Sequence, residues 1–262
     1  HQGVEFNSAG NPVHYVQNPQ GINSRQQGDL VRSISELDAI RNQKIRNPEI
    51  DTRIAAYELA FRMQTSVPEL TDVSDEPQHV LDMYGATPGD GSFGSNCLLA
   101  RRLAERGVRF IQLYHRGWDH HVNLPKKMRG QCHDVDQPAA ALIEDLKNRG
   151  LLDETLIVFG GEFGRTAFGQ GKLARDNYGR DHHPRCFTTW MAGGGVKSGI
   201  TYGQTDDFSY NVVENPVHVN DFNATILNQL GIDHQRLTFP FLGLDQRLTG
   251  VEGAKVIKDI VT

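Results

Sequence analysis

Two short stretches concentrate the side chains that can do chemistry: His115-Arg116-Gly117-Trp118-Asp119-His120-His121 and Gly179-Arg180-Asp181-His182-His183-Pro184. Five of the chain's eleven histidines fall in them, beside aspartates, and Glu162 and Arg165 stand between the two. Imidazole and carboxylate together make a donor set for zinc, manganese or iron, and carboxylates alone suit calcium. Side by side on a loop, two histidines both ligate only where the backbone turns sharply. Each pair is therefore expected to supply one ligand and one imidazole that supports it or faces substrate. The same residues can instead cap loops and bond to backbone. Two such clusters with Glu162 between them favour a hydrolytic metal site. Arg165 has two readings: it pins Glu162 in an ion pair, or its planar fork faces an oxyanion.

The elements that would position these groups follow from pattern. The spacing of Leu30, Ile34, Leu37 and Ile40 predicts a helix over 28–45. A second helix carries Ala55, Leu59 and Met63, capped by Asp51 and stopped by Pro68. A third carries Leu99 and Leu103 and ends at Gly107. Val108–Tyr114 reads as a strand, Ala139–Leu146 as a helix ending at Gly150, and Leu156–Phe159 as the next strand. That is a β–loop–α–β unit, whose crossover implies parallel neighbours. Cys186–Met191 runs into Gly193–Gly195 as a third apolar segment, and Phe222, Ile226 and Leu230 mark a late helix capped by Asn220 or Asp221. Loops leaving Tyr114 and Phe159 would then open on one sheet edge, with the two histidine clusters and Glu162 gathered there.

Composition narrows the classes. The chain has 262 residues, 38% hydrophobic, enough to bury a core. A net charge of −5 and a pI near 6.1 argue against a nucleic-acid partner. Nothing approaches the ~18 apolar residues of a membrane span. Three scattered cysteines, Cys97, Cys132 and Cys186, make neither a disulfide framework nor a zinc ribbon. The triple glycine lacks a following Lys-Ser/Thr, and no GxSxG elbow is present. The chain starts at His1 with a loop-like, Gly/Asn/Pro-rich stretch over 1–25, as expected of a processed product or a fragment.

The strings CLLARRLAERGVRFIQLY, GWDHH, DLKNRGLLDETLIVF, GEFGRT, GRDHHP and AGGGVKSGITYGQTDD, with YELAFRMQTSVPEL and the opening HQGVEF, carry a resemblance. They closely resemble a bacterial family of unknown function, abundant in planctomycetes and placed in the alkaline phosphatase/sulfatase-like superfamily, whose members are often labelled sulfatases. The resemblance covers most of the chain and is strongest from Cys97 to Asp207. It implies an α/β fold: a three-layer α/β/α, mostly parallel sheet, incomplete on its N-terminal side. It also implies one domain over 1–262, with a loop-rich and helical part (1–95) and a β/α core carrying the site loops (96–262).

Matched by position, the superfamily's metal ligands fall on Asp119, His121, Glu162 and His182. Where the superfamily commonly has Asp-His, this chain has Glu162-Phe163, so one imidazole is missing. The superfamily's nucleophile lies in an N-terminal region this chain does not match, and no residue here takes that role. The resulting expectation is a metal-dependent hydrolase of phosphate or sulfate esters, using a divalent ion (Zn, Mn, Fe or Ca) and a small anionic ester. Arg165 and His183 are the catalytic candidates, and His120 and Asp181 the substrate-binding ones. Export to the periplasm is expected from the resemblance. The alternative expectation is a non-catalytic exported binding or surface protein with an incomplete site.

Overall fold

The computed structural model describes residues 3–8, 11–13 and 17–262. His14 and part of the loop expected over 1–25 lie outside the described residues. The chain divides into two compact units, His1–Leu113 and Tyr114–Thr262.

The first unit is helical. Helices α1 (Ser24–Ile45) and α2 (Pro48–Thr71) pack on one another, and α4 (Phe93–Glu105) packs on α2 and on the short α3 (Gln78–Tyr84). Asn23 and Gln26 form a reciprocal cap that starts α1. Asn47, rather than Asp51, caps α2, and the helix passes through Pro68 to Thr71. Pro68 lacks an N–H, but its carbonyl still accepts from Asp72, so the last turn survives. Tyr84, Cys97 and Leu98 are fully buried. Phe6 and Val13 of the N-terminal stretch pack on Met63 and Val67 of α2. Glu76 bridges the buried guanidinium groups of Arg101 and Arg102 at 2.7 and 2.6 Å, so that two desolvated cations share a carboxylate.

The second unit contains α5 (Leu124–Asn148), α6 (Val219–Gln229) and short strands. The expected three-layer α/β/α architecture with a mostly parallel sheet is overturned. Every sheet among the described residues is a two-stranded antiparallel pair. β1 (Ile157–Phe159) pairs with β4 (Trp190–Ala192), β2 (Gly164–Arg165) with β3 (His182–His183), β5 (Gln204–Thr205) with β6 (Val212–Glu214), and β7 (Thr238–Phe241) with β8 (Leu244–Arg247).

The crossover logic failed at its first strand. Residues 108–114 belong to no sheet, and Phe110 and Tyr114 are 75% and 80% exposed. A parallel strand is buried on both faces, whereas this segment is half-buried at Ile111 and Leu113 and exposed on the other face. β1 is three residues long with its middle residue exposed, the pattern of a half-covered antiparallel pair. Phe159 stacks on Trp190 across it, ring centroids 4.9 Å apart. The intervening helix is real and ends as expected, with Gly150 at φ +70. No helix among the described residues is long and apolar enough to cross a membrane.

Candidate metal centre

The scaffold of the site is a ribbon running from Gly164 to His183. Its arms pair Gly164 with His183 and Arg165 with His182, and the pairing continues through Thr166 N–H to the Asp181 carbonyl and through the Gln170–Gly179 bridge. The loop carrying Asp119 to Asn123 lies along the same ribbon. Arg180 N–H donates to the His120 carbonyl at 3.1 Å, and Leu124 N–H to the Tyr178 carbonyl at 2.9 Å. Gly179 permits this approach, since a Cβ there would collide with the His121 backbone. Two loops some sixty residues apart are thereby laid edge to edge.

Strand geometry then selects the histidines. Successive side chains of β3 point to opposite faces. His182 turns toward Asp119, and His183 turns into the unit's interior. There its Nε2–H donates to the Tyr210 carbonyl at 2.6 Å and its ring stacks on Tyr210 at 4.2 Å. Asp206 holds that partner loop by accepting from the Phe208, Tyr210 and Asn211 amides. His183 thus fixes the ribbon. Asp181 does similar local service, its Oδ1 accepting from the His182 backbone amide at 2.8 Å.

Three ligand-type atoms converge: one oxygen of Asp119 and one nitrogen each of His121 and His182, all within 4.8 Å of one another. Nε2 of His121 and Nε2 of His182 each lie 2.9 Å from Asp119 Oδ1. Arg165 Nη1 lies 2.8 Å from the same oxygen, as an ion-pair contact outside hydrogen-bonding direction. Arg165 therefore pairs with Asp119, not with Glu162. The exposed Glu162 is not among the converging residues. Phe163, its neighbour, packs its ring 4.7 Å from that of His182 and limits that imidazole's rotation.

The electrostatics concentrate on Asp119. The hydrogen bond from His182 and then the Arg165 guanidinium beside it hold its carboxyl down to about 2. His121 adds a sharper observation. Its Nδ1 lies 2.6 Å from Gln170 Oε1, which can only accept, so Nδ1 carries the hydrogen. In the neutral ring Nε2 is then a bare lone pair facing a carboxylate oxygen at 2.9 Å. Two acceptors at that distance require a cation between or upon them: a proton on His121 or a metal ion. The donor set fits a metal. One carboxylate and two imidazoles leave a fourth position open, as in catalytic zinc sites. Tetrahedral ligands at 2.0–2.1 Å stand roughly 3.3 Å apart, and both histidine–Asp119 separations lie within a few tenths of an ångström of that spacing.

His120 is placed otherwise. Its ring is buried, 3% exposed, bonds to the backbone of Gly117 and has Nδ1 without a partner. Burial first, and the cations Lys127 and Arg165 after it, pull its pKa down. Residue types alone did not reveal Gln170. Nothing in a Gly-Gln-Gly-Lys loop marks the glutamine as the partner of a histidine 49 positions earlier.

A family model described as "Protein of unknown function (DUF1501)" matches residues 1–261. Comparison with curated proteins and with solved structures finds no match. The chain therefore belongs to the DUF1501 family.

Proposed function

We propose that this chain is a metal-dependent hydrolase acting on phosphate or sulfate esters. The observation that carries the proposal is the convergence of Asp119, His121 and His182 in an exposed, three-ligand arrangement with Arg165 beside it. A divalent ion held there would polarise an ester oxygen and lower the pKa of an attacking water. Among the protein's own groups, Gln170 orients His121, Phe163 and the Asp181 carboxylate orient His182, and Arg165 sits where its fork can meet an anionic oxyacid. The ester class draws support from the positional match of Asp119, His121 and His182 to metal ligands of alkaline phosphatase/sulfatase-like enzymes, from which GEFGRT departs by having Glu162-Phe163 where Asp-His is common. That support concerns motif chemistry, not fold. Export belongs to the same proposal.

One observation favours a second reading. Asp119 already has a guanidinium counter-charge in Arg165, so its carboxylate does not depend on a metal for charge balance. On that reading the chain binds anions or metals without turning anything over. Elemental analysis after growth with zinc, manganese, iron and calcium tests the metal, using Asp119→Ala and His182→Ala as controls. Turnover of p-nitrophenyl phosphate and p-nitrophenyl sulfate tests the reaction. Stoichiometric metal lost in both variants, with turnover of either ester, is expected. Metal-free wild-type protein sinks the proposal, and bound metal without turnover leaves the binding reading in its place.

A further inference from the structure

Helix α1 turns its more apolar side away from the helix it packs on. Gly28 and Asn42 mark its α2 side: a Cβ on Gly28 would collide with the Phe61 ring, and Asn42 Nδ2 donates to Asp51 Oδ1 at 2.7 Å. With Ser35 midway, these positions repeat every seven residues and make a seam of small and polar side chains. Two residues further on in each repeat, about 200° round the helix, stand Leu30 and Leu37. They are 48 and 67% exposed, Ile40 beside them is 55% exposed, and no residue of α1 is buried. Among the described helices and strands, α1 packs extensively on α2 alone. A surface helix ordinarily turns its apolar stripe inward. The stripe that predicts α1 in the sequence is here left for something outside the α1–α2 pair, and grouped exposed apolar side chains commonly mark an interface.

We propose that this stripe is covered by the same stripe of a second copy of the chain, the two α1 helices running antiparallel about a two-fold axis near Leu37. The charges beside the stripe select that occupant and that direction. Glu36 precedes Leu37, Arg41 and Lys44 follow it, and all three side chains are exposed. Antiparallel pairing about Leu37 sets each copy's Glu36 toward the other's Arg41, whereas parallel pairing sets like charge on like. Asp29 stays out of the exchange, being bound to Arg32 of its own helix. Leu37 and Ile40 of one copy then meet Ile40 and Leu37 of the other, an isologous contact that closes at two subunits. Two such helices alone make a small interface, so the dimer is reversible.

Sedimentation velocity of the full chain, from micromolar to sub-millimolar concentration, should show monomer giving way to dimer. Leu37→Glu should weaken the dimer at least tenfold with the circular dichroism unchanged, because the substituted side chain lies outside the α1–α2 seam. Glu36→Arg and Arg41→Glu should each weaken it and the two together should restore it, a rescue that mere misfolding would not give. In a Cys132→Ser background, Leu37→Cys should cross-link to its counterpart under mild oxidation and Leu30→Cys should not. Antiparallel pairing about Leu37 puts the two Leu30 positions about 20 Å apart along the helices. A wild-type protein that stays monomeric throughout overturns the proposal; slow maleimide labelling of Leu37→Cys in that monomer would give the stripe to another part of the same chain, and fast labelling would leave it bare. A dimer untouched by Leu37→Glu, no rescue in the double variant, or cross-links at both positions would overturn it as well.

Discussion

Replacing Gln170 by leucine isolates the contact on which the proposed ligand role of His121 depends. The substitution keeps the side chain's bulk and the backbone bridge to Gly179, and deletes the acceptor 2.6 Å from His121 Nδ1. Without it the imidazole is free to take either tautomer and to rotate, and the ring facing Asp119 loses its fixed lone pair. A hydrogen bond to a group bearing charge is worth about 1.5–3 kcal/mol. At about 1.4 kcal/mol per decade, that loss corresponds to roughly 10–100-fold weaker metal binding. Partners behind metal-bound histidines elsewhere show an effect of about 10–100-fold. Zinc affinity measured by competition with a chromophoric chelator reads the effect directly. Gln170→Glu, which leaves a stronger acceptor in place, should bind zinc at least as tightly as wild type, and Asp119→Asn should fall below Gln170→Leu. A Gln170→Leu protein that unfolds like wild type and binds zinc within about twofold of it would refute the assignment of His121.

Further outcomes follow from the same geometry. The Asp119 carboxyl is held near 2, below an ordinary value of about 3.9, so its stabilising contribution is complete above about pH 4 and fades as pH falls toward 2. A ¹³C titration of Asp119 should place the midpoint there, and Arg165→Gln should raise it; an ordinary midpoint in wild type would contradict the converging contacts. Burial pushes the Cys97 thiol up to about 12 and the Cys186 thiol upward too, while Cys132 is only half-buried. Native protein at pH 8 should therefore be alkylated first at Cys132, and mass spectrometry showing Cys97 modified equally fast would reject the packing. Gly179→Ala forces a Cβ into the His121 backbone. It should destabilise by about 1–3 kcal/mol and weaken zinc binding with it, and unchanged thermal unfolding would show the two loops are not in contact.

Most helix positions were legible in the sequence, though α3 went unread and α5 starts at Leu124, ahead of the Ala139–Leu146 stretch that marked it; the sheet was not. Periodicity located α1, α4, α5 and α6 because each buries or presents a face every third or fourth residue, and Gly107, Gly150 and Gly231 adopt the positive φ expected where helices end. Val108–Tyr114 shows why strands resisted. Its composition is that of a strand, but a strand exists only with a ladder partner, and partner choice is nonlocal. The hairpin β7–β8 went unread for a related reason: Pro240 within Thr238–Phe241 demotes the segment in any local reading. At the site, the expectation of one ligand and one supporting imidazole per histidine pair rested on the need for a sharp turn before neighbouring loop residues converge, a local argument independent of sheet topology. Glu162 was read both from its charge between the two histidine clusters and from its place in a superfamily pattern, and both readings need the parallel-sheet frame that would gather it at one edge.

Asp119 Oδ1 is the point on which both the resting and the loaded state turn. Three nitrogens converge on that oxygen, and the guanidinium of Arg165 is the permanent counter-charge among them. A divalent ion taken up by Asp119, His121 and His182 would claim the same oxygen and weaken its hold on Arg165. The neutralised carboxylate–guanidinium pair plus the ion then leaves about two positive charges at an exposed surface. A phosphate monoester carries about −1.5 to −2 near neutral pH, whereas a sulfate monoester carries a single negative charge. Charge balance thus favours the phosphate ester of the two classes, and it makes Arg165 the residue whose neutral replacement should narrow the difference between them.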